Sequence, residues 1–195
     1  MIADCTAIIM AGGDSRRMGT DKANLLLDGQ TLLQGVIAAM QELFPKVVVS
    51  TRKPRAGITQ RQICDAQDNG GPLAGLVASL EAISTPWAFA VACDMPFVVP
   101  GLVRLLADCR SAQAVVPVVN GHPQPLAAFY ATACLDVMRE SLAAQQKSLR
   151  VVLQQLQVRY VPEAEILDAD PGMRSFFDLD TPQDFAVALN RRSYE

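Results

Sequence analysis

The residue types best suited to chemistry lie in one glycine-rich, cationic segment near the N-terminus. Residues 11–22 read AGGDSRRMGTDK and directly follow the apolar run Thr6–Met10. Glycines let backbone N–H groups approach phosphate oxygens, and arginine and lysine side chains balance phosphate charge. The segment has neither the Gly-Lys-[Ser/Thr] triplet of a Walker A loop nor the Gly-x-Gly-x-x-Gly of a dinucleotide loop. We therefore predict a phosphate-binding loop of another type, with an ordinary solvated turn as the alternative.

Asp94 is the best candidate for a metal ligand. It follows the apolar run Trp87–Cys93, just as the glycine segment follows Thr6–Met10. Both groups are therefore expected at the carboxyl edge of one sheet, where open α/β folds bind their ligands. A carboxylate there can hold Mg²⁺ against substrate phosphates, because Mg²⁺ takes one or two protein carboxylates and keeps several waters. The simpler alternative is a turn residue ahead of Pro96.

Other polar residues give weaker or negative signals. Asp65 follows a short predicted strand and can reach a ribose hydroxyl from there. Asp178 and Asp180 lie at the end of the predicted last strand, Phe176–Leu179, and are candidates either for a second metal ligand or for turn and capping roles. The only histidine, His122, lies in an Asn-Gly-His-Pro turn. The sequence therefore argues against a histidine-based triad and a multi-histidine metal site.

The elements that must position these residues alternate between strand and helix up to about residue 110. Apolar runs and helical spacing predict the strands Thr6–Met10, Val47–Ser50, Gln62–Cys64 and Trp87–Cys93, and the helices Thr31–Phe44, Leu73–Ile83 and Pro100–Cys109. This alternation predicts a doubly wound, Rossmann-like α/β fold with a mostly parallel sheet and helices on both faces.

The pattern changes beyond residue 110, although nothing in the sequence looks like a linker. The turn Asn120–Pro123 predicts a hairpin or a long strand connection between Ala114–Val119 and Leu126–Tyr130. The remaining predictions are helices near Leu135–Ala144 and Ser148–Leu156, a strand at Val158–Val161, and a helix that starts at Thr181-Pro182-Gln183-Asp184. We expect a single domain over residues 1–195.

Composition limits the class of partner. Half of the 195 residues are hydrophobic and 19% are charged, which suits a folded domain that needs no disulfides. A net charge of −3 argues against a broad nucleic-acid surface. The five cysteines contain no Cys-x-x-Cys motif and fit the reduced thiols of a cytoplasmic protein. We expect neither a signal peptide nor a membrane span.

Five segments, taken together, resemble the molybdenum cofactor guanylyltransferases. They are Met10–Ala23, Gly71–Gly75 (GPLAG), Cys93–Pro96 (CDMP), Gln124–Leu126 (QPL) and Phe176–Pro182 (FFDLDTP). The first segment alone is shared by a wider class of nucleotidyltransferases. All five, in this order and spacing, cover the chain from about residue 6 to residue 187 and are much more specific.

The resemblance implies a reaction and its partners. The enzyme would transfer GMP from GTP to the terminal phosphate of Mo-molybdopterin, with Mg²⁺ as cofactor and pyrophosphate as product. Residues 1–110 would bind the nucleotide and residues 111–195 the acceptor. A GTP-binding accessory protein and molybdoenzyme chaperones are further expected partners, and no nucleic acid or membrane is expected. Cytidylyl transfer, transfer to a sugar or alditol phosphate, and non-catalytic nucleotide binding stay open as alternatives.

The resemblance also assigns residues to roles. The catalytic residues would be Arg17, Lys22 and Asp94, with Mg²⁺ on Asp94. The nucleotide would bind at Met10, Ala11, Gly12, Gly13, Lys22, Ser50, Asp65, Gly71, Pro72, Leu73 and Asp94, with the segment from Gly71 to Gly75 beside the guanine. The acceptor would bind at Gln124, Pro125, Asp178 and Asp180. Some relatives have Asn at Ser50, Asp178 and Asp180, and two extra carboxylates beside a phosphate acceptor require a metal or an arginine to neutralise them.

Overall fold

The computed structural model describes residues 1–12, 21–27, 29–65, 70–179 and 181–191 of the chain. The strands are β1 (Cys5–Met10), β2 (Leu26–Leu27), β3 (Gln30–Thr31), β4 (Lys46–Thr51), β5 (Arg61–Cys64), β6 (Trp87–Ala92), β7 (Ala114–Val119), β8 (His122–Pro123), β9 (Ala127–Ala131) and β10 (Val158–Val161). The α-helices are α1 (Leu32–Leu43), α2 (Gly71–Ala82), α3 (Pro100–Asp108), α4 (Leu135–Ala143), α5 (Leu149–Leu153), α6 (Glu163–Ala169) and α7 (Pro182–Arg191). Short 3₁₀ helices cover Lys22–Asn24, Thr132–Cys134 and Arg174–Phe176.

One sheet runs through both halves of the chain. Its strand order is β10-β7-β9-β6-β1-β4-β5, with β8 paired to β7, and β2 and β3 form a separate small ladder. Within that order only β9 runs antiparallel to its neighbours, β6 and β7. The prediction of a doubly wound, mostly parallel α/β fold is confirmed.

The central strand β1 lies where the winding of the sheet reverses. From β1 the chain builds β4 and β5 on one side, and it then crosses through α2 to place β6 on the other side. Connections diverge at such a point, which leaves a crevice at the carboxyl ends of the strands. The fold therefore opens beside the segment that the sequence marks as chemically active.

Alternate residues of β1 point into two separate cores, which explains its continuous apolar run. Ala7 and Ile9 pack with α1, α3 and α6, whereas Ile8 and Met10 pack with α2, α4 and α5. Three aromatic rings in the first core have centroids 4.8–6.2 Å apart: Phe44, Phe89 and Phe129. The two cores hold the central strands on both faces and give the crevice a rigid frame.

The predicted hairpin in the second half is confirmed. Val119 pairs with His122, and the two residues between them, Asn120 and Gly121, have φ angles of 49° and 74°. Two successive positive φ angles give the turn whose twist matches that of antiparallel strands. The predicted start of α7 is also confirmed, because the Thr181 hydroxyl accepts a hydrogen bond from the Asp184 N–H.

The predicted last strand, Phe176–Leu179, is wrong. Phe176 ends a 3₁₀ helix, which forms because the buried Asp170 carboxylate accepts the N–H groups of Arg174 and Ser175 at 3.0 and 2.9 Å. Such side-chain bonds compete with strand pairing. The sequence analysis also did not predict α6 or the β2–β3 ladder. No helix in the described ranges combines the length and the apolar composition needed to cross a bilayer.

Two helical glycines give opposite predictions for stability. A Cβ on Gly101 in α3 would lie 2.7 Å from the backbone oxygen of Ala169 in α6, whereas a Cβ on Gly35 in α1 would meet no atom within 4 Å. Gly101→Ala should therefore lower the free energy of unfolding by about 1–3 kcal/mol. Gly35→Ala should raise it by about 1 kcal/mol through helix propensity. Urea unfolding measures both, and a neutral Gly101→Ala would contradict the α3–α6 packing.

Candidate active site

A cavity of about 390 Å³ lies at the carboxyl ends of β1, β4, β5 and β6, beside the first turn of α2. It occupies the crevice at which the winding of the sheet reverses. Most of the residues expected to bind the nucleotide line it, namely Met10, Ala11, Gly12, Lys22, Ser50, Asp65, Gly71, Pro72 and Asp94. The structure thus brings residues from five separate chain segments to one place, while their binding roles stay predictions.

An ion pair joins the two sides of the crevice. Lys22 Nζ donates a hydrogen bond to Asp94 Oδ2 at 3.0 Å, although the residues are 72 positions apart. Lys22 begins the 3₁₀ helix that follows the glycine segment, and Asp94 follows β6. Their side chains are only 14% and 21% exposed. Because partial burial limits screening by water, the charges of Lys22 and Asp94 act more strongly on a ligand in this cavity than exposed charges would.

The floor of the cavity is shaped by the absence of a side chain at Gly75, in the second turn of α2. A Cβ at this position would lie 2.5 Å from Ser50 Oγ, 3.0 Å from Met10 Cε and 3.5 Å from Asp65 Oδ2. Glycine therefore lets the helix approach β1, β4 and β5 closely. The hydroxyl and the carboxylate of Ser50 and Asp65 line the space, so the floor offers polar groups to a ligand.

The start of α2 adds positive electrostatic character to the cavity wall. Gly71 and Pro72 line the cavity, and Gly71 has a φ of 65°, which glycine adopts without strain. The N-cap residue, Gly70, provides no side-chain cap for the helix. The first backbone N–H groups of a helix carry partial positive charge, which favours an anion beside them. Cation, helix terminus and carboxylate together form a site suited to a metal–phosphate ligand.

Cys93 lines the cavity next to Asp94 but is not a nucleophile at neutral pH. Burial, and then the negative charge of Asp94, raise the pKa of the Cys93 thiol to about 12. The thiolate is the reactive form of cysteine, and this thiol stays protonated at neutral pH. Cys93 therefore contributes shape and low polarity to the wall.

Several predicted residues do not line the cavity. Leu73 is fully buried in the apolar core, so its side chain does not line the cavity, and its binding role stays a prediction. Gln124 and Pro125 form a turn whose carbonyl at Pro125 accepts the Tyr130 hydroxyl at 2.8 Å, and the next residue, Leu126, lines the cavity instead. Asp178 is exposed. The N–H of the next residue, Leu179, donates to the Asp94 carbonyl at 3.0 Å.

Three predicted residues, Gly13, Arg17 and Asp180, lie outside the described residues. Two further charged residues line the cavity that were not predicted from the sequence, Asp21 and Arg52. Arg52 follows β4 in the cation-rich run Thr51-Arg52-Lys53-Pro54-Arg55. The rule that selected Asp94, a charged residue just after a buried strand, also applies to Arg52.

Comparison with known proteins identifies the family. The family model described as MobA-like NTP transferase domain matches residues 7–161. The probable molybdenum cofactor guanylyltransferase of Chloroflexus aggregans is 37% identical over 193 residues, 93% of this chain and 92% of that protein. The probable molybdenum cofactor guanylyltransferase of Pelotomaculum thermopropionicum is 33% identical over 186 residues, 94% of this chain and 91% of that protein.

A solved structure agrees with these sequence relatives. The crystal structure of molybdopterin-guanine dinucleotide biosynthesis protein A from Archaeoglobus fulgidus has a TM-score of 0.87 at 26% identity, and the match covers 97% of this chain and 100% of that chain. The resemblance first drawn from five sequence segments is confirmed. The chain belongs to the family of MobA-like NTP transferase domains, together with the molybdenum cofactor guanylyltransferases, and it is a nucleotidyltransferase.

Proposed function

We propose that this enzyme transfers GMP from GTP to the terminal phosphate of Mo-molybdopterin, with Mg²⁺ held at Asp94. The products are molybdopterin guanine dinucleotide and pyrophosphate. Relatives named molybdenum cofactor guanylyltransferase support nucleotidyl transfer in molybdenum cofactor biosynthesis. The single observation that carries the proposal for this chain is the 3.0 Å contact of Lys22 with Asp94 on the wall of one cavity.

The chemistry requires charge neutralisation more than proton transfer. An oxygen of the acceptor phosphate attacks the α-phosphorus of GTP, and the bond from that phosphorus to the bridging oxygen breaks, so that pyrophosphate leaves with the electron pair. The attacking phosphate is already an anion and needs no strong base. The main obstacle is repulsion between two anions, which alignment and fixed positive charge reduce. Lys22 is positioned to take up the charge that develops on the phosphates.

Asp94 fits the metal for which it is proposed. Mg²⁺ takes one or two carboxylates from the protein and completes its shell with substrate phosphates and water. Within the described residues, no group of three or more His, Cys, Asp or Glu side chains is placed to enclose a metal. The Asp94 carboxylate on the wall of the cavity therefore suits a metal shared with substrate. When bound, Mg²⁺ supplies positive charge at the phosphates and orients them.

The nucleoside is proposed to occupy the floor of the cavity. Asp65 and Ser50 are polar groups there, and Gly75 lets α2 pack closely against both of them. Carboxylate and hydroxyl oxygens accept hydrogen bonds from ribose hydroxyls or from the amino and imino groups of a base. The expected accessory protein, the molybdoenzyme chaperones and the cytoplasmic location stay predictions.

Donor and acceptor are tested by supplying Mo-molybdopterin, or in parallel a sugar or alditol phosphate, with each of GTP, ATP, CTP and UTP, with Mg²⁺ or with a chelator. Pyrophosphate release and the mass of the dinucleotide product are measured. We expect the dinucleotide product only when GTP and Mg²⁺ are both present, because the site needs divalent charge to offset the charge of the phosphates. Preference for CTP would identify a cytidylyltransferase. Transfer to a sugar or alditol phosphate, but not to molybdopterin, would reject the proposed acceptor.

Asp94 and Lys22 are each expected to be required for turnover. Asp94→Asn and Lys22→Ala should each lower kcat by roughly two to three orders of magnitude, the effect of removing one fixed electrostatic group. The matched controls are Asp108→Asn, at the exposed end of α3, and Lys46→Ala, at the opposite edge of the sheet. Both controls should keep near-wild-type kcat. If Asp94→Asn retained full GMP transfer in a folded protein, the metal assignment would be wrong.

Gly75→Ala should weaken nucleotide binding, because its Cβ would fall within contact distance of Ser50 Oγ and Met10 Cε. One extra methyl group in a tight site changes discrimination by about 10-fold or more, so the KM for GTP should rise by about that factor. Steady-state kinetics over a GTP titration measures the change. Gly35→Ala, another glycine-to-alanine change within a helix, is the control, and an unchanged KM for Gly75→Ala would place the nucleotide elsewhere.

A further inference from the structure

Arg55 makes a set of hydrogen bonds that converges on the glycine segment. Its guanidinium donates from Nη1 to Asp21 Oδ2 at 2.7 Å and from Nη2 to Asp21 Oδ1 at 3.3 Å. Nη2 also donates to the carbonyl of Ala11 at 2.9 Å, and Nε donates to Thr51 Oγ1 at 3.3 Å. Arg55 belongs to the β4–β5 connection, so one side chain ties that connection to two points of another chain segment.

Arg55 contacts two residues of the glycine segment, one on each side of residues 13–20. Ala11 follows β1, whereas Asp21 precedes the 3₁₀ helix that starts at Lys22. Asp21 also accepts the N–H of Ala23 at 3.2 Å and so caps the 3₁₀ helix that starts at Lys22. The carboxylate that Arg55 holds therefore fixes the start of this 3₁₀ helix, and with it the position of Lys22. Lys22 in turn reaches Asp94 at 3.0 Å.

We infer that Arg55 is a positioning residue for this nucleotidyltransferase: by holding the Asp21 cap and the Ala11 carbonyl, it fixes Lys22 against Asp94. A guanidinium suits this task because its planar fork grips both oxygens of a carboxylate and still has donors for the other partners. The Arg55 side chain is 18% exposed and the Asp21 side chain is 43% exposed, so water reaches the carboxylate side of this ion pair. The role is geometric, and the guanidinium does not need to touch the substrate.

A positioning role has a kinetic signature that a general structural role lacks. A misplacement of about 1 Å in a catalytic group can lower the rate by up to about 100-fold. Arg55→Gln should therefore lower kcat by about 10- to 100-fold. Arg55→Lys, which keeps the charge but loses the fork, should fall between Arg55→Gln and wild type. Arg61→Gln is the matched control, because Arg61 in β5 donates to the carbonyl of Ala82, the last residue of α2, at 2.7 Å and does not line the cavity.

The decisive kinetic test repeats Arg55→Gln in a Lys22→Ala background. If Arg55 acts on kcat through Lys22, the second change should alter kcat by less than about twofold once Lys22 is absent. A loss of kcat by the same factor in both backgrounds would show that Arg55 does not act through Lys22, and it would overturn the inference. Thermal unfolding of each variant, with Arg61→Gln beside it, separates lost stability from lost positioning.

Because this role of Arg55 rests on the proposed function, a second measurement needs no substrate. Trace acetylation with acetic anhydride, read by peptide mass spectrometry, reports how accessible and reactive the Lys22 amine is. Lys46, remote from the cavity, provides the internal reference. Arg55→Gln should raise the labelling of Lys22 relative to Lys46 several-fold, and Arg61→Gln should not.

The two measurements separate two kinds of failure. Unchanged labelling of Lys22 in Arg55→Gln overturns the positioning role, whatever reaction the enzyme catalyses. Raised labelling in a protein whose wild type transfers no GMP to Mo-molybdopterin keeps the positioning role and rejects the proposed substrates.

Discussion

The contact between Lys22 and Asp94 depends on the topology of the sheet, and the organisation of the cavity depends on that contact. The two residues meet because β1 and β6 are adjacent parallel strands whose carboxyl ends face the same edge. An acidic chain with a net charge of −3 has no general attraction for a trianionic or tetraanionic nucleotide. We therefore expect a small cluster of fixed charges to bind the nucleotide. This cluster lies where the winding of the sheet reverses, which is where open α/β folds bind their ligands.

Several separate parts of the fold hold Lys22 and Asp94 in place. Two apolar cores hold the central strands from both faces, and the second half of the chain reaches the site through the Leu179 N–H on the Asp94 carbonyl. The β4–β5 connection reaches it through Arg55. Electrostatic preorganisation is effective only when the charged groups need not move during the reaction. The network around Lys22 and Asp94 is consistent with that requirement, because both residues are anchored by backbone and side-chain contacts of their neighbours.

Local sequence patterns predicted most of the strands and helices because periodicity and turn chemistry decide them. The run Thr6–Met10 is buried on both faces, and Asn120-Gly121 accepts the two positive φ angles of a tight hairpin. Phe176–Leu179 has a strand-like pattern. The hydrogen bonds of the Asp170 side chain, which no local pattern reveals, instead stabilise a 3₁₀ helix that ends at Phe176. Leu73 adjoins the cavity residues Gly71 and Pro72 in sequence, but its position on the helix directs its side chain into the core. Arg55 was missed because a charged loop residue usually contacts only water, and its partners are distant in sequence.

A crystal structure with Mg²⁺ and a non-hydrolysable GTP analogue tests the central claim most directly. The account predicts a metal bound to a carboxylate oxygen of Asp94 at about 2.0–2.1 Å. It also predicts the Lys22 ammonium in hydrogen-bond contact with a phosphate oxygen of the analogue, and the nucleoside on the floor formed by Ser50, Asp65 and Gly75. A nucleotide bound outside the cavity, or a metal held without Asp94, would contradict it.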